Sequence, residues 1–262
     1  MIPLKDYNPT SRFAWVTVLL IVACAAVYFG VQPGGKATFI RSNAQDRAGQ
    51  DLKFTVEHAA IPCEIVKDRP LDDDEIRATF GNGDATACEA EPASPPAFPH
   101  KNVYLAILYS MFLHGSLLHI GGNMLFLWVF GNNIEDRMGA VRYLLFYLAA
   151  GLAATATFVA LQPNSTVPMI GASGAIAGVM GAYLVLFPNV RIRSLIFLGF
   201  FVFFRDLQAK WLLIFWFVLQ FFTSASSGVA WTAHVGGFVF GALVGLIWRM
   251  TSKPHLRPAG AY

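Results

Sequence analysis

Apolar positions in this chain fall into long unbroken blocks, not into the spaced stripes of a soluble core. The first block runs from Phe13 to Gln32, behind Lys5 and Arg12. From Tyr104 onward the chain is nearly all apolar, with further blocks at 115–134, 141–161, 170–187, 208–223 and 231–249. Each approaches the ~20 residues that cross a bilayer as a helix. The pattern predicts an all-α polytopic membrane protein with six transmembrane helices. The run Phe13–Gln32 exceeds the roughly 7–15 apolar residues of a signal-peptide core, which favours a retained helix over a cleaved leader. The stretch Ile192–Phe204 is also apolar but only 13 residues long, with Arg191 and Arg193 at its start and Arg205, Asp206 and Lys210 after it. It is too short to cross, so it reads as an interfacial or re-entrant hairpin.

Residues 33–103 break the pattern. They hold 12 of the 16 acidic residues and 8 of the 19 basic ones, and three prolines crowd into Pro92–Pro96. Short alternating pieces such as Leu52–Val56 fit strands. The segment reads as a polar insert between the first two spans and not as a full domain. The organisation is then an N-terminal segment 1–12, a first helix 13–32, the insert 33–103, a core of five helices over 104–249 and a tail 250–262.

Composition sharpens the class. The chain is 55% hydrophobic and 13% charged over 262 residues, with a mean hydropathy of +0.51. Soluble domains are nearer about one quarter charged. A soluble enzyme, a disordered regulator and a disulfide-rich secreted domain are excluded. A net charge of +3 is too small, and too locally placed, for nucleic acid.

The placement of charge gives an orientation. Arg137 and Arg142 lie between the second and third spans, and Arg191, Arg193, Arg205 and Lys210 between the fourth and fifth. Arg249, Lys253 and Arg257 follow the sixth, whereas Gln162–Pro168 and Thr223–Ala230 carry no charge. With six spans, every short basic segment shares a side with Lys5 and Arg12. The positive-inside rule puts both termini in the cytoplasm and the insert outside, as expected for a multi-pass protein of the cell inner or plasma membrane.

Polar groups inside apolar spans are functional candidates. His119 and Asn123 lie four apart in the second span and share a helix face. Ser173 stands in Gly171-Ala-Ser-Gly174 at the start of the fourth span, and His234 in Ala233-His-Val-Gly-Gly237 at the start of the sixth. These three spans run in one direction, so His119, Ser173 and His234 share one level near the outer face. His234 is followed at three, seven and eleven residues by Gly237, Gly241 and Gly245, and the fourth span carries Gly174, Ala177, Gly178 and Gly181. Two small-residue stripes let helix backbones approach.

A serine hydroxyl becomes a useful nucleophile when a base takes its proton. His234 is the candidate base, giving a Ser–His dyad. Glu135 and Asp136 lie at the far end of the second span, roughly 24 Å from His119 at 1.5 Å per residue, too far to complete a triad. Asn123, His119 and the Ser173 backbone N–H can donate to the oxyanion of a tetrahedral intermediate. Packing roles compete: Gly-Ala-Ser-Gly is also a helix-contact pattern, and His234 could be an interhelical donor. No carboxylate or cysteine shares their level, so neither a metal nor an organic cofactor is expected.

Residues 104–249 resemble the rhomboid family of intramembrane serine proteases, of the bacterial six-helix type. The resemblance is carried by His119-Ile-Gly-Gly-Asn123, Gly171-Ala-Ser173-Gly174 and Ala233-His234-Val-Gly-Gly, in order and on the corresponding spans. Glu135-Asp-Arg-Met-Gly139 resembles the turn after the family's second helix. The resemblance implies Ser173 as nucleophile, His234 as base and His119 and Asn123 as oxyanion donors. It places His114 near a possible water path. It also implies single-pass transmembrane proteins as substrates, met within membrane lipid. Ala177 stands where some members carry a tyrosine that supports the histidine ring, and residues 33–103 lack the tryptophan of the family's first loop. A catalytically inactive rhomboid-like binder and a small transporter are the alternatives.

The remaining landmarks carry quieter expectations. Glu135, Arg137 and Arg142 fit an interfacial charge network at a tight turn. Trp211 and Trp216 fit lipid-facing or interfacial anchors. Cys63 and Cys88 lie in the insert, where an oxidising exterior would let them pair.

Overall fold

The computed structural model describes residues 1–36, 44–89, 91–222 and 230–252. The expected uncharged loop lies outside the described residues over 223–229, as does the tail from 253.

Each expected span holds one helix: α1 (Trp15–Gly30), α7 (Leu117–Met138), α8 (Ala140–Leu161), α9 (Ser173–Leu186), α10 (Ala209–Gln220) and α11 (Trp231–Thr251). By length and apolar content, α8 and α11 are long enough to cross a membrane; α1, α9 and α10 are apolar but shorter. α7 ends in Glu135, Asp136 and Arg137, followed by Gly139 at positive φ, which turns the chain into α8.

α9 and α11 run parallel with their backbones in contact. A Cβ on Gly241 would sit 1.8 Å from the Gly178 carbonyl oxygen, and one on Gly237 would sit 2.1 Å from that of Gly174. A Cβ on Gly181 would come within 2.1 Å of the Phe238 carbonyl. Only glycine fits these contacts, and their even register sets the start of α9 beside the start of α11. Around this pair the core is apolar and aromatic, with Phe130, Tyr143, Tyr147, Met180 and Tyr183 fully buried.

Two expectations are corrected. The chain is mostly but not wholly helical: β1 (Ile2–Asp6), β2 (Arg191–Leu198) and β3 (Phe201–Gln208) form an antiparallel sheet in the order β1-β2-β3. The Ile192–Phe204 hairpin is therefore a β-hairpin. Arg191 and Arg193 face out while Ile192 and Ser194 are buried, the period of a strand, and Gly199 at φ +59° allows the two-residue turn. Leu52–Val56 is helical, within α3 (Ala44–His58), which follows the one-turn α2 (Pro33–Lys36). Leu52 and Val56 are four apart and both pack on Ile61, Cys63 and Leu71, whereas Phe54 stacks on His58. Five residues of alternation were too few to separate the two periods.

Glu135 has a further part in the fold. Its buried carboxylate accepts from the backbone N–H groups of Val16 and Thr17 and from the Thr17 hydroxyl, at 2.8–2.9 Å. It caps the N-terminus of α1, where a negative charge meets unpaired donors and the positive end of the helix dipole. Arg142 lies over the Trp248 ring. Nearby, the Asp6 carboxylate accepts from the Tyr183 hydroxyl at 2.9 Å and from the Asn133 amide. Burial pushes the Asp6 carboxyl up to about 6.

The insert has a small core of its own. α4 (Pro62–Lys67) and α5 (Asp73–Gly81) pack with α3 around Val56, Ile61, Cys63 and Leu71. Cys63 and Cys88 form a disulfide. Asp72 and Glu75 close a capping box on α5, and Arg69 grips Glu75 with two hydrogen bonds of 2.8 Å. A buried ion pair joins Lys101 to Glu64. The insert docks on the segment between α8 and α9. The Cys63 N–H donates to the Ser165 carbonyl, the Thr166 N–H to that of Ala85, and the Met169 N–H to that of Ala60. The Ala60 N–H bonds the Ser110 hydroxyl, at the end of the short helix α6 (Leu105–Ser110), and the Ser110 carbonyl accepts from Gly171.

Candidate active site

Ser173 is the first residue of α9, and His234 lies one turn into α11. Because the glycine contacts hold those two helices in register, the side chains meet. His234 Nε2 is 2.8 Å from Ser173 Oγ. The other ring nitrogen, Nδ1, is 2.8 Å from the side-chain oxygen of Gln220, the last residue of α10.

His119 and Asn123 approach from α7. Ser116 caps this helix, its hydroxyl accepting from the His119 N–H at 3.1 Å. His119 Nδ1 accepts from the Gly115 N–H, which leaves the proton of a neutral ring on Nε2. That nitrogen and the Asn123 amide nitrogen converge beside Gly171. A Cβ on Gly171 would lie 2.8 Å from His119 Nε2 and 3.5 Å from Asn123 Nδ2, and the residue holds φ +120°, so glycine is required twice over. Asn123 Nδ2 is buried and has no hydrogen-bond partner among the described residues. Two donors thus point at a space two residues before Ser173.

These groups line a cavity of about 770 Å³, together with Trp216. Among the described residues its lining includes no carboxylate, lysine or arginine. An arrangement of hydroxyl, imidazole and convergent N–H donors suits acyl transfer. For a metal, the cavity offers imidazoles without an anionic ligand. Elsewhere Cys63, Glu75 and Cys88 cluster within 4.8 Å, but the disulfide occupies both sulfurs.

The four residues expected at the site are brought together. His114 lies just behind them. It is fully buried, edge-on to the His119 ring at 5.2 Å between centroids, and is not part of the cavity lining. Gln32, just beyond α1, clamps its backbone, accepting from the His114 N–H at 2.9 Å and donating to its carbonyl at 3.1 Å.

Two residues at the site escaped the sequence reading. Trp216 lines the cavity, its ring 5.9 Å from that of His234 and stacked near Phe238. Gln220 carried a signal, since it is the one uncharged polar residue of α10, near the end of an apolar run.

Comparison with known proteins agrees with the motifs. The chain matches the Rhomboid domain family over residues 101–251. It is 34% identical over 98 residues to Rhomboid protein 1, mitochondrial, of Saccharomyces cerevisiae, covering 36% of this chain and 28% of that protein. It is 32% identical over 154 residues to the Presenilin-associated rhomboid-like protein, mitochondrial, of Bos taurus, covering 55% and 37%. It is 40% identical over 78 residues to Rhomboid protease GluP of Bacillus subtilis, covering 30% and 15%. The chain thus spans well under half the length of each of these relatives.

Proposed function

The chain belongs to the rhomboid family, and from that premise we propose that it is an intramembrane serine endopeptidase. The observation that carries this reading is the 2.8 Å approach of His234 Nε2 to Ser173 Oγ inside a cavity into which His119 and Asn123 direct donors. Ser173 Oγ attacks the scissile carbonyl carbon while His234 Nε2 takes the hydroxyl proton. The oxyanion is held in the space beside Gly171, by Asn123 Nδ2 and His119 Nε2–H. The tetrahedral intermediate collapses as His234 protonates the leaving amine. Water, with its proton taken by the same imidazole, then hydrolyses the acyl-enzyme. No metal or organic cofactor takes part.

The proposed substrates are single-pass transmembrane proteins, met sideways within membrane lipid. A helical peptide bond is shielded by its own hydrogen bond, so the substrate must unwind locally at the cleavage point. In the proposed topology six helices cross the membrane, the insert of 33–103 lies outside, and 104–249 is the catalytic core. The segments 1–12 and 250–262 are cytoplasmic, in a cell inner or plasma membrane. The bias of basic residues supports that orientation. It puts the cavity a short way below the outer surface, within reach of water.

The test is labelling with a serine-reactive fluorophosphonate, alongside cleavage of a model transmembrane substrate in liposomes. Labelling of wild type at Ser173 and none of Ser173→Ala is expected. Binding of the substrate helix with neither labelling nor cleavage would instead identify an inactive binder, and solute flux a transporter.

A further inference from the structure

We propose that Gln220 is a positioning residue for His234, fixing the imidazole in the tautomer whose Nε2 can accept the Ser173 proton. This rests on the reading of Ser173 and His234 as nucleophile and base.

The argument follows the hydrogens. An amide side chain presents an oxygen on one side and an NH2 on the other, and its orientation is set by its partners. Gln220 Nε2 donates to the backbone carbonyl of Trp216, one turn earlier in α10, at 3.0 Å. The reversed amide would place two acceptors face to face there. Gln220 Oε1 is therefore the atom directed at His234, and it accepts at 2.8 Å from Nδ1. A neutral imidazole has one N–H, so with Nδ1 protonated Nε2 holds a lone pair. That lone pair lies 2.8 Å from Ser173 Oγ. A single backbone carbonyl thus determines, through one buried amide, which nitrogen faces the nucleophile.

The surroundings offer the ring little other support. Among the described residues the groups facing His234 are Ser173 from α9, Gln220 and Trp216 from α10, and His119 across the cavity from α7; His119 is the other titratable one, and the described lining contains no carboxylate. The third member of the constellation is thus a neutral acceptor. It orients the ring as a carboxylate would, without adding a negative charge beside an imidazolium. It also explains why α10, otherwise Trp, Leu, Ile, Phe and Val beyond Lys210, keeps an amide that is 7% exposed.

The experiment uses the full chain in detergent and in liposomes, with Gln220→Met, Gln220→Glu and wild type. In wild type, 15N NMR of the His234 ring should show the proton on Nδ1; a proton on Nε2 would overturn the proposal without any activity being measured. Gln220→Met keeps the volume and removes the acceptor. It should slow fluorophosphonate labelling and kcat by roughly 10²-fold, with KM and Tm little changed. Gln220→Glu should restore labelling, with the acid limb of the pH–rate profile moved upward because a carboxylate favours the imidazolium. A purely structural glutamine would move Tm and leave the tautomer and pH profile alone. Wild-type labelling rate, pH profile and Nδ1 protonation in Gln220→Met would refute the assignment. Wild type that fails to label at Ser173 would instead remove the serine mechanism, with the ring tautomer still readable on its own.

Discussion

Ala60 and Met169 pair across an isolated antiparallel bridge, the Met169 N–H donating to the Ala60 carbonyl at 2.8 Å. Met169 lies four residues before Ser173. The insert is therefore hydrogen-bonded to the segment that delivers the nucleophile, and Ser110 doubles the link by bonding both Ala60 and Gly171.

Replacing Cys63 and Cys88 together by serine tests that link. The disulfide closes a separation of 25 residues. On the chain-entropy account, losing such a closure costs roughly 3 kcal/mol of local stability. Limited proteolysis should then cut the insert while α7 to α11 stay intact, and cleavage of a model substrate should fall. Unchanged cleavage with a proteolysed insert would show that Ser173 is held from the helical core alone.

Gly241→Val should separate α9 from α11. Its side chain would enter space already filled by the Gly178 backbone. A displacement of about 1 Å between reacting groups is enough to cost roughly 10²-fold in rate. Fluorophosphonate labelling of a folded Gly241→Val protein reads this directly, and wild-type labelling would show that the contact does not set the Ser173–His234 distance.

Ser173→Ala and His234→Ala should each abolish cleavage, and the double variant should be no worse than either, because both act in one proton transfer. Asn123→Ala should lower kcat by roughly 10²-fold, since His119 remains as a donor. Additive losses in the double variant would count against a shared step.

Asp6 gives the pH prediction. Its carboxyl moves from 3.8 to about 6 in the fold, through burial. The native state therefore favours the protonated form. That stability is complete below pH 3.8 and is lost as pH rises through about 6. A shift of about two units corresponds to about 3 kcal/mol. Asp6→Asn does not titrate, so thermal midpoints of the two proteins in detergent should diverge from pH 4 to pH 7 in favour of the variant. Parallel curves would place the proton elsewhere.

The residues of the site were legible because they share a level. His119, Ser173 and His234 each stand near the start of a helix running the same way, and glycines at intervals of three and four mark the face on which two of those helices meet. The helix ends followed from the apolar blocks to within four residues. The hairpin was legible but its strands were not, because Phe201–Phe204 of β3 is apolar on both faces and shows no alternation. Nor were the partners of Glu135, since two of them are backbone N–H groups and the third, the Thr17 hydroxyl, carries no complementary charge. Gln220 was visible as a polar residue, but its distance from His234 depends on how α10 leans, which no spacing encodes.

The docking of the insert has a consequence for biosynthesis. Among the described residues, what closes the insert on itself, from the disulfide to the Glu64–Lys101 pair, lies between residues 34 and 101. The surface it finally rests on, Ser165 to Met169, emerges from the ribosome more than sixty residues later. The insert must therefore keep its shape through a waiting period, while α7 and α8 are still being made. Its internal crosslinks make it a finished part held ready before its seat exists.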